Sequence, residues 1–209
     1  MSFRPGFLSA AVAAAVAPAL AFCAAGEPGA ESPARPRFVE DEIAGIRIGV
    51  DGSDEIVRLY GHGFKTPARS QEERYCYWDQ SRQLGVQFRL SVGGVVDGVN
   101  VAEVPEQIDK ACRDANLKVA KSVTTGKMIA LGDTLETVLG VYGEPGNRVD
   151  GVANGRKFVA LEYETRVERT PGVARWYWAA LLFFDAKLAG FQVLESMESV
   201  GKALRRGTR

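Results

Sequence analysis

The sequence predicts an α+β fold made of two homologous modules, each a short capped helix followed by an antiparallel β-meander of three to four strands. Three observations predict it. First, LGDTLETVLGVYGEPG (131–146) has a weaker twin in IGVDGSDEIVRLYGHG (48–63). Asp51, Asp54, Ile56, Val57, Tyr60 and Gly61 fall on Asp133, Glu136, Val138, Leu139, Tyr142 and Gly143 at a constant offset of 82. Second, each twin is followed by runs rich in β-branched and aromatic residues, the composition of strands. Third, Gly98, Val99, Asn100 and Val101 fall on Gly190, Phe191, Gln192 and Val193 at an offset of 92, so the resemblance continues beyond the helices.

The N-terminus is expected to lie outside both modules. One basic residue, Arg4, precedes a nearly uncharged run from Phe7 to Ala25, and GEPGAESPARPR follows. A basic start, an apolar middle and small residues before a polar stretch make 1–25 a secretory signal peptide and 26–42 a flexible linker. Ala19-Leu20-Ala21 and Cys23-Ala24-Ala25 both fit the small-x-small cleavage pattern. The expected location is periplasmic or secreted, with no stable membrane span once the signal is removed; uncleaved, the run approaches the length of a span. Leu20-Ala21-Phe22-Cys23 resembles the lipobox of bacterial lipoproteins, in which the cysteine becomes a lipidated first residue. That motif asks for a small residue where Phe22 stands, so a lipid anchor at Cys23 is the minor reading.

Module 1 is drawn at 43–104. After the first helix come RYCYWD (74–79), LGVQFRLSV (84–92) and VVDGVNV (95–101), with Gly93-Gly94 as a hairpin signal. The middle strand alternates, with Leu84, Val86, Phe88, Leu90 and Val92 on the packed face. A connector follows at 105–124, where Ile108, Cys112, Ala115 and Val119 recur at helical spacing and predict a helix over 106–120.

Module 2 is drawn at 125–197. Its helix is expected to be capped by Asp133, with Glu136 reaching back. Leu135, Val138, Leu139 and Tyr142 form one stripe, Gly143 takes the left-handed stop, and Pro145 forbids continuation. Such a short helix is marginal alone and must pack on a sheet. The sheet strands are KFVALEYE (157–164), WYWAALLFFD (176–185) and KLAGFQVL (187–194). Residues 198–209 are a basic, solvated tail; KALRRGTR has four positive charges and no interleaved aromatic, which argues against a nucleic-acid surface.

The chain carries 26 basic and 26 acidic residues, so no global field selects nucleic acid or an anionic membrane. If cleavage falls after Ala25, two cysteines remain, Cys76 and Cys112, and in an oxidising compartment two cysteines usually pair. The alternative is two buried free thiols. With one histidine and no C-x-x-C pair, no metal site is expected. No cofactor is expected either.

The IG or LG dipeptide, the short capped helix, the Y-G-x-P/G turn and the antiparallel meander together resemble the small envelope-lipoprotein module of the SmpA/OmlA type. Two copies in one exported chain resemble the tandem architecture of the secreted β-lactamase inhibitor proteins. The resemblance covers about 43–197, and it implies a protein that binds other proteins through its sheet surface without catalysis. Gly63 stands where the second copy has Pro145.

One strand departs from ordinary alternation. Tyr177, Ala179, Leu181 and Phe183 form one apolar face of 176–185, and Trp176, Trp178, Ala180, Leu182 and Phe184 form a second. Either another part of the chain covers the second face, or it receives an unknown protein partner with Trp176, Trp178, Leu182 and Phe184 as contacts. The expected function is therefore an exported, non-catalytic protein-binding protein, inhibitor-like or adaptor-like. An envelope-assembly or scaffolding lipoprotein anchored through Cys23 is one alternative, and an enzyme with a carboxylate site around Glu162 and Glu164, which share a strand face, is another. His62, the lone histidine, lies between two glycines in a turn and is expected to be an exposed loop residue. GVYGEPG (140–146) follows its helix, at the end opposite to a phosphate-binding loop, and reads as a helix stop.

Overall fold

The computed structural model describes residues 38–66, 73–117, 119, 123–170 and 173–199. The expected signal peptide, Cys23, most of the linker and the end of the basic tail lie outside the described residues. A small hairpin, β1 (Glu42–Ile43) and β2 (Ile46–Arg47), leads into helix α1 (Ser53–Tyr60). Strands β3 (Phe64–Thr66), β4 (Glu73–Asp79), β5 (Leu84–Leu90) and β6 (Val96–Ala102) follow. The connector holds a single 3-10 turn, Pro105–Gln107, and helix α2 (Lys110–Ala115). Then come helix α3 (Leu135–Tyr142) and strands β7 (Asn147–Ala153), β8 (Arg156–Thr170), β9 (Val173–Phe184) and β10 (Lys187–Ser199).

The eight later strands form one continuous antiparallel sheet in the order β3-β4-β5-β6-β10-β9-β8-β7. The four strands after α1 occupy one half and the four after α3 the other. They meet where β6 pairs with β10, with Val101 opposite Phe191, Asn100 opposite Gln192 and Val99 opposite Val193. The segments matched at the offset of 92 therefore pair with each other across the middle of the sheet, running antiparallel about the Asn100–Gln192 pair.

One face of this sheet is the core. Tyr77, Val86, Phe88, Val99, Val101, Leu161, Tyr163, Ala179, Leu181, Phe183, Phe191 and Val193 are buried there with Ile56 and Tyr60 of α1 and Val138 and Tyr142 of α3. Each large apolar side chain withdrawn from water contributes roughly 1.5–3 kcal/mol, which offsets the weak intrinsic stability of two-turn helices. Both helices stop on a glycine with positive φ, Gly61 at 79° and Gly143 at 73°, where a Cβ would strain the backbone. Each stop is held from the sheet by a tyrosine. Tyr77 donates to the Gly61 carbonyl at 2.7 Å, and Tyr163 donates to the Gly143 carbonyl at 3.0 Å. Burial pushes both phenols up to about 12.

Several expectations need correction. The cap of α3 is Thr134, whose hydroxyl accepts from the Thr137 amide at 3.2 Å, because Asp133 is engaged by the Ala130 amide at 2.8 Å. The cap of α1 is Gly52 without a side-chain bond, because Asp51 is turned back onto Arg47. Val92 is 80 % exposed, since β5 ends at Leu90 and the chain enters its turn. The connector helix is shorter than 106–120: Asn116 takes a left-handed conformation (φ 47°) and ends it, and Val119 joins the main core instead of continuing a helical stripe. The linker also ends before residue 42. Phe38 and Glu40 are 2 % and 1 % exposed, and Phe38 packs on the Tyr142 and Tyr163 rings.

Candidate functional site

The face of the sheet opposite the helices divides into a half covered by the connector and a half whose outward side chains are partly exposed. Over the first half runs the connector. Ile108 and Cys112 pack on Cys76, Trp78 and Ala102 in a small buried cluster separate from the main core. Cys76 and Cys112 form a disulfide with 5.7 Å between Cα atoms, fastening α2 to β4 as the sequence implied. The pairing is consistent with an extracytoplasmic protein.

Glycines in the sheet let the connector approach. A Cβ on Gly85 would stand 2.4 Å from Ile108 Cγ1, and one on Gly190 would stand 2.6 Å from Gln107 Oε1. Asn100 stitches the two layers: its amide donates to Gln87 Oε1 at 3.1 Å and to the Gln107 carbonyl at 3.0 Å. Gly85→Ala is accordingly expected to cost about 1–3 kcal/mol through overpacking, because the clash falls on a buried branched side chain within a disulfide-bounded segment. Equilibrium denaturation in urea checks this, and a change below about 0.5 kcal/mol would mean the connector shifts freely.

Beyond Gly190 the outer face is formed by β10, β9 and β8. Along β9 the inward residues Tyr177, Ala179, Leu181 and Phe183 are buried, and the outward residues Trp176, Trp178, Ala180, Leu182 and Phe184 are half-buried; Ala174, at the start of the outward row, is fully buried. The four residues singled out from the sequence, Trp176, Trp178, Leu182 and Phe184, thus lie together on the outward side of one strand, away from the core that fills the opposite face. Their neighbours follow from the register. Glu164, Ala160 and Phe158 of β8 stand opposite Trp178, Leu182 and Phe184, and Leu194 of β10 stands opposite Trp178.

Charge frames this strip. The Arg156 guanidinium lies 4.7 Å from the Phe184 ring centre, and that of Arg166 lies 6.0 Å from Trp176. Arg156 also pairs with Asp185 at 3.0 Å. These arginine contacts lie at the strip's two ends, and polar side chains also flank its middle, with Glu164 opposite Trp178 and both Glu162 and Gln192 opposite Ala180. Two of the chain's three tryptophans sit on the strip. Aromatic anchors flanked by charged and polar side chains suit contact with another macromolecule.

The alternative catalytic candidates stay apart. Glu162 and Glu164 do share the outer face of β8, but Glu162 Oε2 accepts from the Asn147 side-chain Nδ2 at 3.0 Å and Glu164 is exposed. His62 is exposed in the turn after α1, beside a shallow depression lined by Ser53, Asp54, Val57, Arg58, Lys65 and Tyr75. Among the described residues no group of three or more His, Cys, Asp or Glu side chains could share a metal ion. No helix among them is long and apolar enough to cross a membrane.

One buried polar constellation escaped the sequence reading. The Tyr142 hydroxyl donates to Glu40 Oε1 at 2.6 Å and lies 2.9 Å from Thr125 Oγ1, and the Gly126 amide donates to Glu40 Oε2 at 3.1 Å. Burial pushes the Glu40 carboxyl above its ordinary range, with the Tyr142 bond and the nearby Lys127 charge opposing. Burial and the Glu40 bond likewise raise the Tyr142 phenol. The site is a pin between the N-terminal segment and α3, closed off from solvent.

No protein-family model matches this chain, and no curated protein matches it. Among solved structures it is similar to a DUF4309 family protein from Bacillus subtilis, at 12% identity over 73% of this chain and 83% of that one, with a TM-score of 0.37. It is also similar to a Streptococcus mutans protein provisionally named a beta-lactamase inhibitor protein, at 9% identity over 74% of this chain and 91% of that one, with a TM-score of 0.25.

Proposed function

We propose that this chain is an exported, non-catalytic binding protein whose partner, another protein, docks on the partly exposed half of the outer sheet face, with Trp176, Trp178, Leu182 and Phe184 as its anchors. One observation carries the reading: the connector and its disulfide bury the β4–β6 half of that face, whereas Trp178, Leu182 and Phe184 on the outward side of β9 keep part of their apolar surface exposed. Half-buried tryptophans on a rigid sheet are strong anchors, because they offer large apolar area with little side-chain freedom to lose.

The same proposal treats the chain as a tandem duplication of one helix and four strands. Its supports are the two offsets, the matched glycine stops, the tyrosine that reaches each of them, and the central pairing of the matched strands. Export is supported by the Cys76–Cys112 pairing and by the signal-like N-terminal sequence.

The test is crosslinking capture from envelope and secreted fractions, comparing wild type with a folded Trp178→Ala/Phe184→Ala variant. The expected result is a captured protein whose yield falls by roughly tenfold or more in the variant, as for the loss of interface anchors. Equal capture by both proteins ends the proposal.

A further inference from the structure

The sheet has two edges, and they are unlike. The β3 edge is three residues long, which is one ordinary way of blunting an edge. The β7 edge is seven residues long, and Asn147 to Asp150 and Val152 are exposed. It pairs with β8 in one unbroken register from Asn147 opposite Glu162 to Ala153 opposite Arg156. It has no bulge, no proline and no lysine, and its single ion pair, Arg148 to Asp150 at 2.8 Å, leaves the strand with no net charge. Val149 and Val152 are 37 % and 68 % exposed. The outward N–H and C=O groups of such a strand are a template for another strand.

We infer that β7 pairs antiparallel with the β7 of a second copy of this chain, centred on Val149. Self-pairing by a two-fold axis normal to the sheet places opposite residues on the same face, so only registers centred on a residue of the strand are available. Centring on Arg148 sets the two Arg148 side chains against each other, and centring on Asp150 does the same to the two aspartates. Centring on Val149 sets Arg148 opposite the second copy's aspartate at both ends and brings the two exposed valines together on the other face. Each arginine then has one carboxylate beside it on its own strand and another across the interface, where directly opposed side chains are closest. The charge pattern R-V-D is therefore complementary to itself in one register and repulsive in its two neighbours.

This association does not depend on the partner-binding reading, but it has a consequence for it. A two-fold normal to the sheet keeps the outer faces of both copies on one side, and the two β9 strips then lie five strand spacings apart, roughly 24 Å. The dimer presents two like platforms on one surface, suited to a repetitive or two-fold partner.

Analytical ultracentrifugation of the full chain, from low micromolar to several hundred micromolar, tests the inference. Wild type is expected to dimerise. Arg148→Asp and Asp150→Arg, each placing like charges across the interface, are expected to weaken the dimer by about tenfold or more, and the double reversal Arg148→Asp/Asp150→Arg to return it to within about threefold of wild type. Both positions are exposed, so circular dichroism should show all variants folded. A Val149→Cys variant should oxidise to a covalent dimer much faster than Val152→Cys, which faces no counterpart in this register. A monomer at every concentration overturns the inference, as do single reversals without effect, a double reversal that fails to recover, or equal crosslinking at both cysteines.

Discussion

Removing the cross-link with Cys76→Ala/Cys112→Ala is expected to lower the free energy of unfolding by about 3.5–4 kcal/mol, the cost of releasing a loop of this length in the unfolded chain. The sequence separation it closes is 36 residues, and both cysteines are fully buried. Alanine is the right substitute, because serine would bury two hydroxyls in the apolar cluster with Trp78, Ala102 and Ile108. The denaturant slope should rise as well, since an unfolded chain without the cross-link exposes more surface. Urea titration of both proteins measures midpoint and slope together. A loss below about 1 kcal/mol would mean that the connector's packing, not the covalent bond, holds α2 on the sheet.

The second large effect is expected at the buried pin between Glu40 and Tyr142. Tyr142→Phe keeps the ring against Phe38 and Tyr163 but deletes the hydroxyl that serves Glu40 Oε1 and Thr125. A hydrogen bond to a buried carboxylate is worth roughly 1.5–3 kcal/mol, and its removal leaves that carboxylate less satisfied, so a loss of about 2–3 kcal/mol is expected. A loss below about 0.5 kcal/mol would remove the pin from the list of structural determinants.

Glu40→Gln should behave differently. The amide can donate to the Tyr142 oxygen while its carbonyl accepts from Gly126, and the tyrosine proton can turn to Thr125, so every group keeps a partner. The sign of the pH effect follows from the carboxyl's raised folded pKa. Its native form holds the proton more tightly than the unfolded form, so its contribution is fully present below the ordinary value of 4.5 and is lost as pH rises through the raised native value. The stability of Glu40→Gln relative to wild type should therefore grow between pH 4 and pH 8. Denaturation of both proteins across that range measures it; a constant difference would show that the carboxyl titrates alike in the folded and unfolded chains.

These effects lie at sites of unequal legibility. The helix stops at Gly61 and Gly143 were readable because a glycine ending an apolar stripe has a local backbone reason. The disulfide was readable because, once the N-terminal run is read as a removed signal, the two cysteines left have one pairing to make. The double apolar character of β9 was readable from period-two alternation alone. Strand β7 was not, because NRVDGVA lies on an edge exposed on both sides and so carries no hydrophobic alternation. The buried state of Glu40 was also out of reach, since it looked like linker and its partner Tyr142 lies 102 residues away.

What the sequence determined by itself was local: where helices begin to fail, which strands alternate, and that β9 has more apolar surface than one core can use. Propensity, capping and periodicity act over a few residues, and a sequence records them directly. Only the tertiary structure decided that eight strands join into one sheet, that the connector lies over one half of its outer face while the aromatic strip of the other half stays partly exposed, and that β7 is an edge. Those outcomes depend on which distant segments compete for the same surface, and burial is a property of the neighbours that arrive rather than of the residue that waits for them.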